Sequence, residues 1–504
     1  MSRVVIVSNR VADLEKTAQA GGVAVAIADI LKQQSCLWFG WNGKLVSEPQ
    51  PPPRIVKRRR GAPVVTVPLS AAEHEDYYLG YANSVLWPVF HGRLDLAKFE
   101  AGYFRAYAGV NTRFAQILKP QLRPDDVIWV HDYHFIPFAL ELRKLGVENP
   151  IGFFLHIPFP PAQWFLAVPE HKELARALAA YDLVGLQTKA DVRNMLDYLQ
   201  NHVNARIIPD GRVRAFDRIV SIESLPVGIS VEDFVGTEPR AQRELEAGMM
   251  QIVGVDRLDY SKGLPQKFRA FGQFLDTFPE YRGRAVLTQI APPSRETVDA
   301  YHDVRKQLEE LSGSINGRYG ELDWVPIHYI RRSVPRKRLS SVYRTSRIGL
   351  ITPLRDGMNL VAKEYVASQS PADPGVLILS QFAGAAEDLH QALIINPYNI
   401  EETAKAIHTA ATMGLEERRS RHDALMATIT RQSAAAWGRA FLSKLSRSSA
   451  MDDAMDMYSY HARARKLRAD AVGPQAETGL AQVARETKSK VRPVAAKCVR
   501  SPIS

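Results

Sequence analysis

Two cations and two carboxylates, each set just after an apolar run, are the residues of this chain best suited to chemistry on a charged, hydroxyl-rich ligand. Arg257 and Lys262 lie in Asp256-Arg257-Leu258-Asp259-Tyr260-Ser261-Lys262-Gly263, directly after the run 251–255. From one loop they can converge on a single anion, the guanidinium as a fork and the ammonium as a point charge. A diphosphate leaving group needs such neutralisation when no metal supplies it, although a surface salt-bridge loop has the same composition. Asp356 and Glu364 belong to Arg355-Asp356-Gly357-Met358-Asn359-Leu360-Val361-Ala362-Lys363-Glu364, which follows the apolar run 348–354 and opens a helical pattern. A strand, a glycine turn and a fresh helix N-terminus present backbone N–H groups to an anion. Carboxylates beside such a site are costly unless they hold neutral hydroxyls, as in a sugar or ribose. The plainer alternative is an ordinary strand-to-helix connection with solvated acids.

Other polar residues also stand at the ends of apolar runs. Arg10 follows 4–8, and Gly21-Gly22 then opens an apolar helical pattern, where phosphate clamping and plain turn chemistry are both open readings. Asp132 follows 127–131, His156 follows 151–155, and Arg295 follows 285–290 after a Pro-Pro turn. His131, His134 and Asp132 invite a metal reading, but no His-Glu-x-x-His or comparable ligand spacing is present, so no metal is expected. Tyr77-Tyr78 and Asn83–Pro88, with Trp87, form an aromatic segment suited either to stacking on a sugar or to a core; Trp38 and Trp41 share that ambiguity.

The elements that must position these residues are strands alternating with helices. Apolar runs at 4–8, 64–67, 127–131, 151–156, 183–187, 251–255, 285–290, 324–328, 348–352, 376–380 and 392–395 are largely continuous, as in strands covered on both faces. Helical patterns at 22–33, 265–277 and 295–311 fall between them, and Pro265 suits a first helical position. Eleven strands exceed one comfortable doubly wound sheet. The expected architecture is therefore α/β, with two Rossmann-like domains facing across a cleft and a boundary near 228–240.

Composition narrows the function classes. The chain has 504 residues, 46% hydrophobic and 24% charged, the profile of a globular protein. No apolar run approaches the ~18–20 residues that span a bilayer, and the apolar part of the N-terminus is too short for a secretory signal, so a cytoplasmic location is expected. Cys36 and Cys498 support neither a disulfide framework nor a thiolate metal site. Net charge is +11, yet residues 461–504 hold ten Lys and Arg against three Asp and Glu, which leaves +4 for the rest. That basic tail reads as a solvated extension, and no nucleic-acid-reading module accompanies it.

Longer motifs add to these local readings. Val7-Ser8-Asn9-Arg10, Gly21-Gly22, Leu37–Trp41, Asn83–Pro88, Trp129–His134, Gly152–Pro160, Asp256–Gly263, the 355–364 segment and Leu379–Ala386 occur in collinear order over about 1–445. Together they resemble the trehalose-6-phosphate synthases of the bacterial type. The resemblance implies a retaining, metal-independent GT-B glycosyltransferase that needs no cofactor. It would move glucose from UDP-glucose to glucose 6-phosphate and give α,α-trehalose 6-phosphate and UDP. It assigns Arg10, Tyr78, Trp87, Asp132 and Arg295 to the acceptor, with the arginines on the phosphate. It assigns Gly21, Gly22, His156, Arg257, Lys262, Val334 and the stretch Asp356, Gly357, Met358, Asn359, Leu360, Val361, Ala362, Lys363 and Glu364 to the nucleotide sugar. Arg257 and Lys262 would meet the departing diphosphate, Glu364 the ribose, and Asp356 and His156 the donor glucose. Asp132, His156, Arg257, Lys262 and Asp356 form the implied catalytic set.

Implied domains are an acceptor domain (1–232), a nucleotide-sugar domain (233–445), a helical segment returning to the first domain (446–461) and the tail (462–504). A homo-oligomer, dimer or tetramer, is implied. No phosphatase module with a D-x-D motif follows, so a separate trehalose-6-phosphate phosphatase is expected downstream. Arg331-Arg332-Ser333-Val334 departs from the family's more neutral segment near the base, which leaves uridine against adenine or guanine open. Rival readings keep the fold but use another phosphorylated acceptor, as in glucosylglycerol-phosphate synthases, or a silent regulatory protein. Intact Arg257, Lys262, Asp132 and Asp356 argue against the silent one.

Overall fold

A computed structural model describes residues 2–11, 35–47, 54–56, 63–235, 249–294 and 299–448. The buried apolar runs form two sheets. The first contains β1 (Val4–Arg10), β2 (Cys36–Val46), β3 (Arg54–Val56), β4 (Val64–Ser70), β5 (Val127–His131), β6 (Ile151–Phe154), β7 (Leu183–Leu186), β8 (Arg206–Ile207), β9 (Val213–Ala215) and β10 (Arg218–Ser224), in the order 3-4-2-1-5-6-7-10-9-8. Strands β1, β2, β4, β5, β6, β7 and β10 run parallel, while β3 at one edge and β9 and β8 toward the other are short and antiparallel. The second sheet is wholly parallel. It contains β11 (Met250–Val255), β12 (Ala285–Ile290), β13 (Ile327–Ile330), β14 (Ile348–Ile351), β15 (Val376–Ser380) and β16 (Leu393–Ile395), in the order 13-12-11-14-15-16.

This order determines where ligands can sit. In the first sheet the chain leaves β1 to one side and returns on the other as β5; in the second it leaves β11 and returns as β14. Helices diverge at these reversals and open a crevice at the strands' carboxyl ends. Arg10 and Asp132 flank the first crevice, Arg257 and Asp356 the second.

Most of the expected strands are present, with two kinds of difference. The run 324–328 becomes a strand only from Ile327, because Trp324 turns inward and its indole N–H donates to the Ala285 carbonyl at 3.1 Å. Strands β2, β3, β8, β9 and β10 were not expected: Gly40, Asn42 and Gly43 interrupt the apolar character of β2, β3 lies in the Pro- and Arg-rich stretch 51–61 that reads as a loop, β8 and β9 are two and three residues long, and polar residues interrupt β10. The helix Leu264–Thr277 begins one residue before Pro265.

The aromatic segment is a wide helix. Ser70 and Glu73 form a capping box, and Ala71–Glu73 then runs into a π-helix from His74 to Leu86. Asn83 and Ser84 donate side-chain hydrogen bonds to the carbonyls of Tyr78 and Leu79, five residues back. Wide turns of this kind are rare and concentrate at functional sites. Here they bury Tyr77 completely and leave Tyr78 half-buried at the strand ends.

Residues 434–448 are helical and pack on the first sheet. Phe441 lies flat on Trp129 (centroids 4.3 Å apart, planes 9° apart), and Gly152 and Gly185 leave the space its ring fills. The stretch proposed from sequence to return to the first domain (446–461) has only 446–448 among the described residues. Connections between the two sheets cross at Gly228, where a Cβ would fall 1.6 Å from the Gln432 carbonyl oxygen.

Candidate active site

The second sheet supplies the cations. After β11 the loop tightens into the turn Tyr260–Lys262, in which Asp259 accepts from the Ser261 amide at 2.9 Å and Gly263 takes φ +62°. Lys262 is thereby aimed back across the strand ends. Its ammonium meets the Asp356 carboxylate at 2.5 Å, and Asn359 donates to the same oxygen at 3.1 Å. Arg257 is exposed and makes no ion pair among the described residues; its guanidinium lies 5.4 Å from the Trp87 ring centroid. Trp87 belongs to the first sheet's domain, so this cation–π contact spans the two domains.

The second half of this site is a helix start. Asn359 takes the left-handed conformation (φ 70°) and caps helix Leu360–Ser368 by accepting from the Ala362 amide. Leu360 and Val361 are half-buried, and their amides, in the first turn, have no intrahelical acceptor. Gly357 allows the turn to touch the other domain: a Cβ there would lie 2.2 Å from the His156 carbonyl oxygen. Met358 and Ala362 are buried and hold the turn in the core.

Glu364, one turn into the helix, accepts from the Tyr343 hydroxyl at 3.3 Å. Burial pushes its carboxyl up to about 7, with Arg336 and the Tyr343 hydrogen bond opposing. Because the folded value exceeds the ordinary one, folding favours the protonated acid, and stability falls as pH rises between the two values. Were Glu364 to accept two ribose hydroxyls, as the resemblance implies, it would have to be ionised, and ligand binding would draw the proton off. The KM for a ribose-bearing donor is therefore expected to fall by up to about tenfold per unit as pH rises toward 7 and to level off above it. Glu364→Gln should flatten that profile, and an unchanged profile in this variant would contradict the ribose role.

The first sheet supplies a polar floor. Asp132 has φ 75° and ψ 163°, a region essentially reserved for glycine. This strain of ~1–3 kcal/mol turns Asp132 so that a carboxylate oxygen accepts from the His156 amide at 3.3 Å. His156 and His131 meet ring nitrogen to ring nitrogen at 3.1 Å. Burial pushes His156 down to about 3 and holds His131 well below its usual value, so both rings stay neutral. Tyr78 stacks among Trp41, His74 and His134, at centroid distances of 5.5, 5.2 and 5.8 Å. Arg10 is exposed at the end of β1, 5.9 Å from the Trp41 ring.

Several expectations need correction or fall elsewhere. Lys363 does not turn its side chain toward the ligand face: its ammonium is fully buried and donates to the Val227 carbonyl at 2.8 Å. Its fourth-position direction points into the core, so the residue can meet a nucleotide sugar only through backbone. Val334 packs on the apolar core, and neighbouring Arg331 is drawn to Glu309 at 3.1 Å. Gly21, Gly22 and Arg295 lie outside the described residues.

Contacts missed from sequence join the domains. Arg93 lies 5.5 Å from the Tyr260 ring, and Arg355 lies 5.1 Å from Trp164 and donates to the Phe159 carbonyl. Glu387 accepts from the Lys189 and Ala190 amides at the N-terminus of helix Lys189–Val203. Partners that are 167 to 198 residues apart leave no local signal. Among the described residues no three His, Cys, Asp or Glu gather to hold a metal.

Two parallel-sheet domains with polar groups converging from the carboxyl ends of both define a GT-B glycosyltransferase. The Glycosyltransferase family 20 model matches residues 3–447, and the chain belongs to that family. It is 44% identical over 460 residues to the trehalose-6-phosphate synthase of Sodalis glossinidius, covering 88% of this chain and 96% of that protein. The Cronobacter sakazakii trehalose-6-phosphate synthase is 46% identical over 453 residues, with 88% and 95% covered. Among solved structures, an α,α-trehalose-phosphate synthase (UDP-forming) from Burkholderia xenovorans in complex with glucose-6-phosphate is 45% identical. Its TM-score is 0.84, with 88% of this chain and 100% of that chain covered. An E. coli structure bound with UDP-2-fluoro glucose has TM-score 0.84 and 45% identity, with 88% and 99% covered.

Proposed function

We propose that this chain transfers glucose from UDP-glucose to the anomeric hydroxyl of glucose 6-phosphate, with retention, to give α,α-trehalose 6-phosphate and UDP. The observation that carries this reading is that Lys262, paired with Asp356, and the Leu360 helix N-terminus stand at one switch point, while Arg257 from the same sheet reaches Trp87 of the other domain, where Arg10 and Asp132 stand at the strand ends. The names and titles of relatives, including a glucose-6-phosphate complex and a UDP-2-fluoro glucose complex, support both substrates.

In this reading Arg257, Lys262 and the Leu360 and Val361 amides hold the diphosphate, and Glu364 takes the ribose. Asp356 and neutral His156 hold the donor glucose. Arg10 and Tyr78 meet the acceptor phosphate, with Arg295 assigned by resemblance; Trp87 and Asp132 orient the acceptor sugar. The anomeric C1–oxygen bond to the β-phosphate breaks as the acceptor oxygen bonds C1 on the same face. The acceptor's proton passes to the leaving phosphate oxygen. Positioning and preorganised positive charge carry the rate, because the cations bind the departing diphosphate more tightly as its charge grows.

The enzyme acts in the cytoplasm as a homo-oligomer, and a separate phosphatase removes the product's phosphate. The test offers UDP-, ADP- and GDP-glucose, each with glucose 6-phosphate or glycerol 3-phosphate, and identifies the products. Transfer from UDP-glucose to glucose 6-phosphate is expected to dominate. Preferred transfer to glycerol 3-phosphate would replace the acceptor assignment, and no transfer in any combination would overturn the reading.

A further inference from the structure

The buried ammonium of Lys363 ends on the connection between the two domains. Its partner, Val227, lies in the buried stretch Leu225, Val227, Ile229 and Val231 that leads out of the first sheet. The same residue is held from the other side: its amide donates to the Gln187 side-chain oxygen at 3.1 Å. Gln187 is itself 2% exposed at the end of β7, and its side-chain NH2 donates to the His156 carbonyl at 3.4 Å. A continuous relay therefore runs from His156 through Gln187 and Val227 to Lys363.

Both ends of this relay adjoin the proposed donor site. Gly357 abuts the His156 carbonyl, and Lys363 sits between the helix's first turn and Glu364. The relay also stands where the two connections cross, since the Ala434 amide donates to the Ile229 carbonyl at 3.1 Å and Gly228 leaves no room for a Cβ. A buried ammonium is costly, and burial pushes this one down to about 8 although Asp388 opposes the shift. An unbranched apolar side chain would fill the same space without that cost. The charge-assisted bond to a linker carbonyl is what distinguishes lysine here.

We propose that Lys363 and Gln187 are positioning residues that clamp the two peptide groups flanking Val227, fixing the nucleotide-sugar helix against the sugar-binding floor of the other domain. The proposal rests on reading helix Leu360–Ser368 as the nucleotide-sugar element. Neither side chain touches substrate.

The test compares Lys363→Met, Gln187→Leu and the double variant, each first shown to be folded by thermal denaturation. KM for UDP-glucose is expected to rise about tenfold in each single variant, with the KM for glucose 6-phosphate changed less than about threefold. Amide hydrogen exchange across 225–230 should accelerate in both. The double variant should lose little more than either single one, because both hold the same residue, Val227. Independent, multiplicative losses, or a donor KM and linker exchange unchanged from wild type, would overturn the proposal. If Lys363→Met does not fold, Gln187→Leu carries the test alone. Absence of transfer by the wild-type enzyme would instead overturn the functional reading, so the two failures are distinguishable.

Discussion

Lys262→Ala is expected to lower turnover by about a thousandfold, the scale set by removing one preorganised donor from a site of developing negative charge. Two effects add in this position. In the proposed reading the ammonium that meets the departing diphosphate is lost, and Asp356, 2.5 Å from that ammonium, is left without its counter-ion beside the proposed diphosphate site. The acceptor side should be nearly indifferent, with the KM for glucose 6-phosphate within about threefold of wild type, since Arg10 and Tyr78 belong to the first sheet's domain. Adding Asp356→Asn should recover part of the lost turnover by removing the unpaired charge, at the cost of weaker donor-sugar contact. Steady-state rates with both substrates varied measure all of this. Near-wild-type turnover in Lys262→Ala would remove the leaving-group role.

Gly357→Ala should be nearly as damaging without touching a charged group. The added Cβ would sit 2.2 Å from the His156 carbonyl oxygen and 3.0 Å from the Ile157 Cα. Both are backbone atoms, so neither can rotate aside. Gly357 is in turn pressed by Gly384, whose own Cβ would lie 1.8 Å from the Gly357 carbonyl oxygen, so the loop has no room to retreat. Strand ends of the two domains must then separate by a substantial fraction of an ångström, which can cost about a hundredfold in kcat/KM at a site built on positioning. Stability should fall by about 1–3 kcal/mol, less than would unfold the chain. Kinetics together with urea denaturation separate the two losses. Full activity in this variant would show that the close approach of Gly357 to His156 is dispensable.

The legible and illegible parts of this protein divide on a physical line. Strands β5, β11, β14 and β15 are covered on both faces, so their residues read as continuous apolar runs, and a polar residue at the end of each run marks a carboxyl end. Asp132, Arg257 and Asp356 were visible for that reason. The helix after Asn359 was visible because turn, cap and apolar pattern succeed one another locally. What sequence did not show depends on contact between distant segments. Lys363 looked like part of a ligand-facing stretch until Val227, 136 residues earlier, met its ammonium. Glu387 carries no mark of the helix N-terminus it caps 198 residues away. The π-helix from His74 to Leu86 follows no period that an α-helical template would detect, and the strain at Asp132 is a property of backbone angles that no residue type announces.

Glucosyl transfer with retention, between two substrates held by opposite domains, is checked by supplying UDP-glucose labelled with 13C at C1, together with unlabelled glucose 6-phosphate, and following the label by NMR. The label is expected to move into a disaccharide phosphate as an α-anomeric carbon joined to a second α-anomeric carbon, with one UDP released per linkage formed. A β-anomeric label, a linkage through another hydroxyl, or label recovered as free glucose would contradict it.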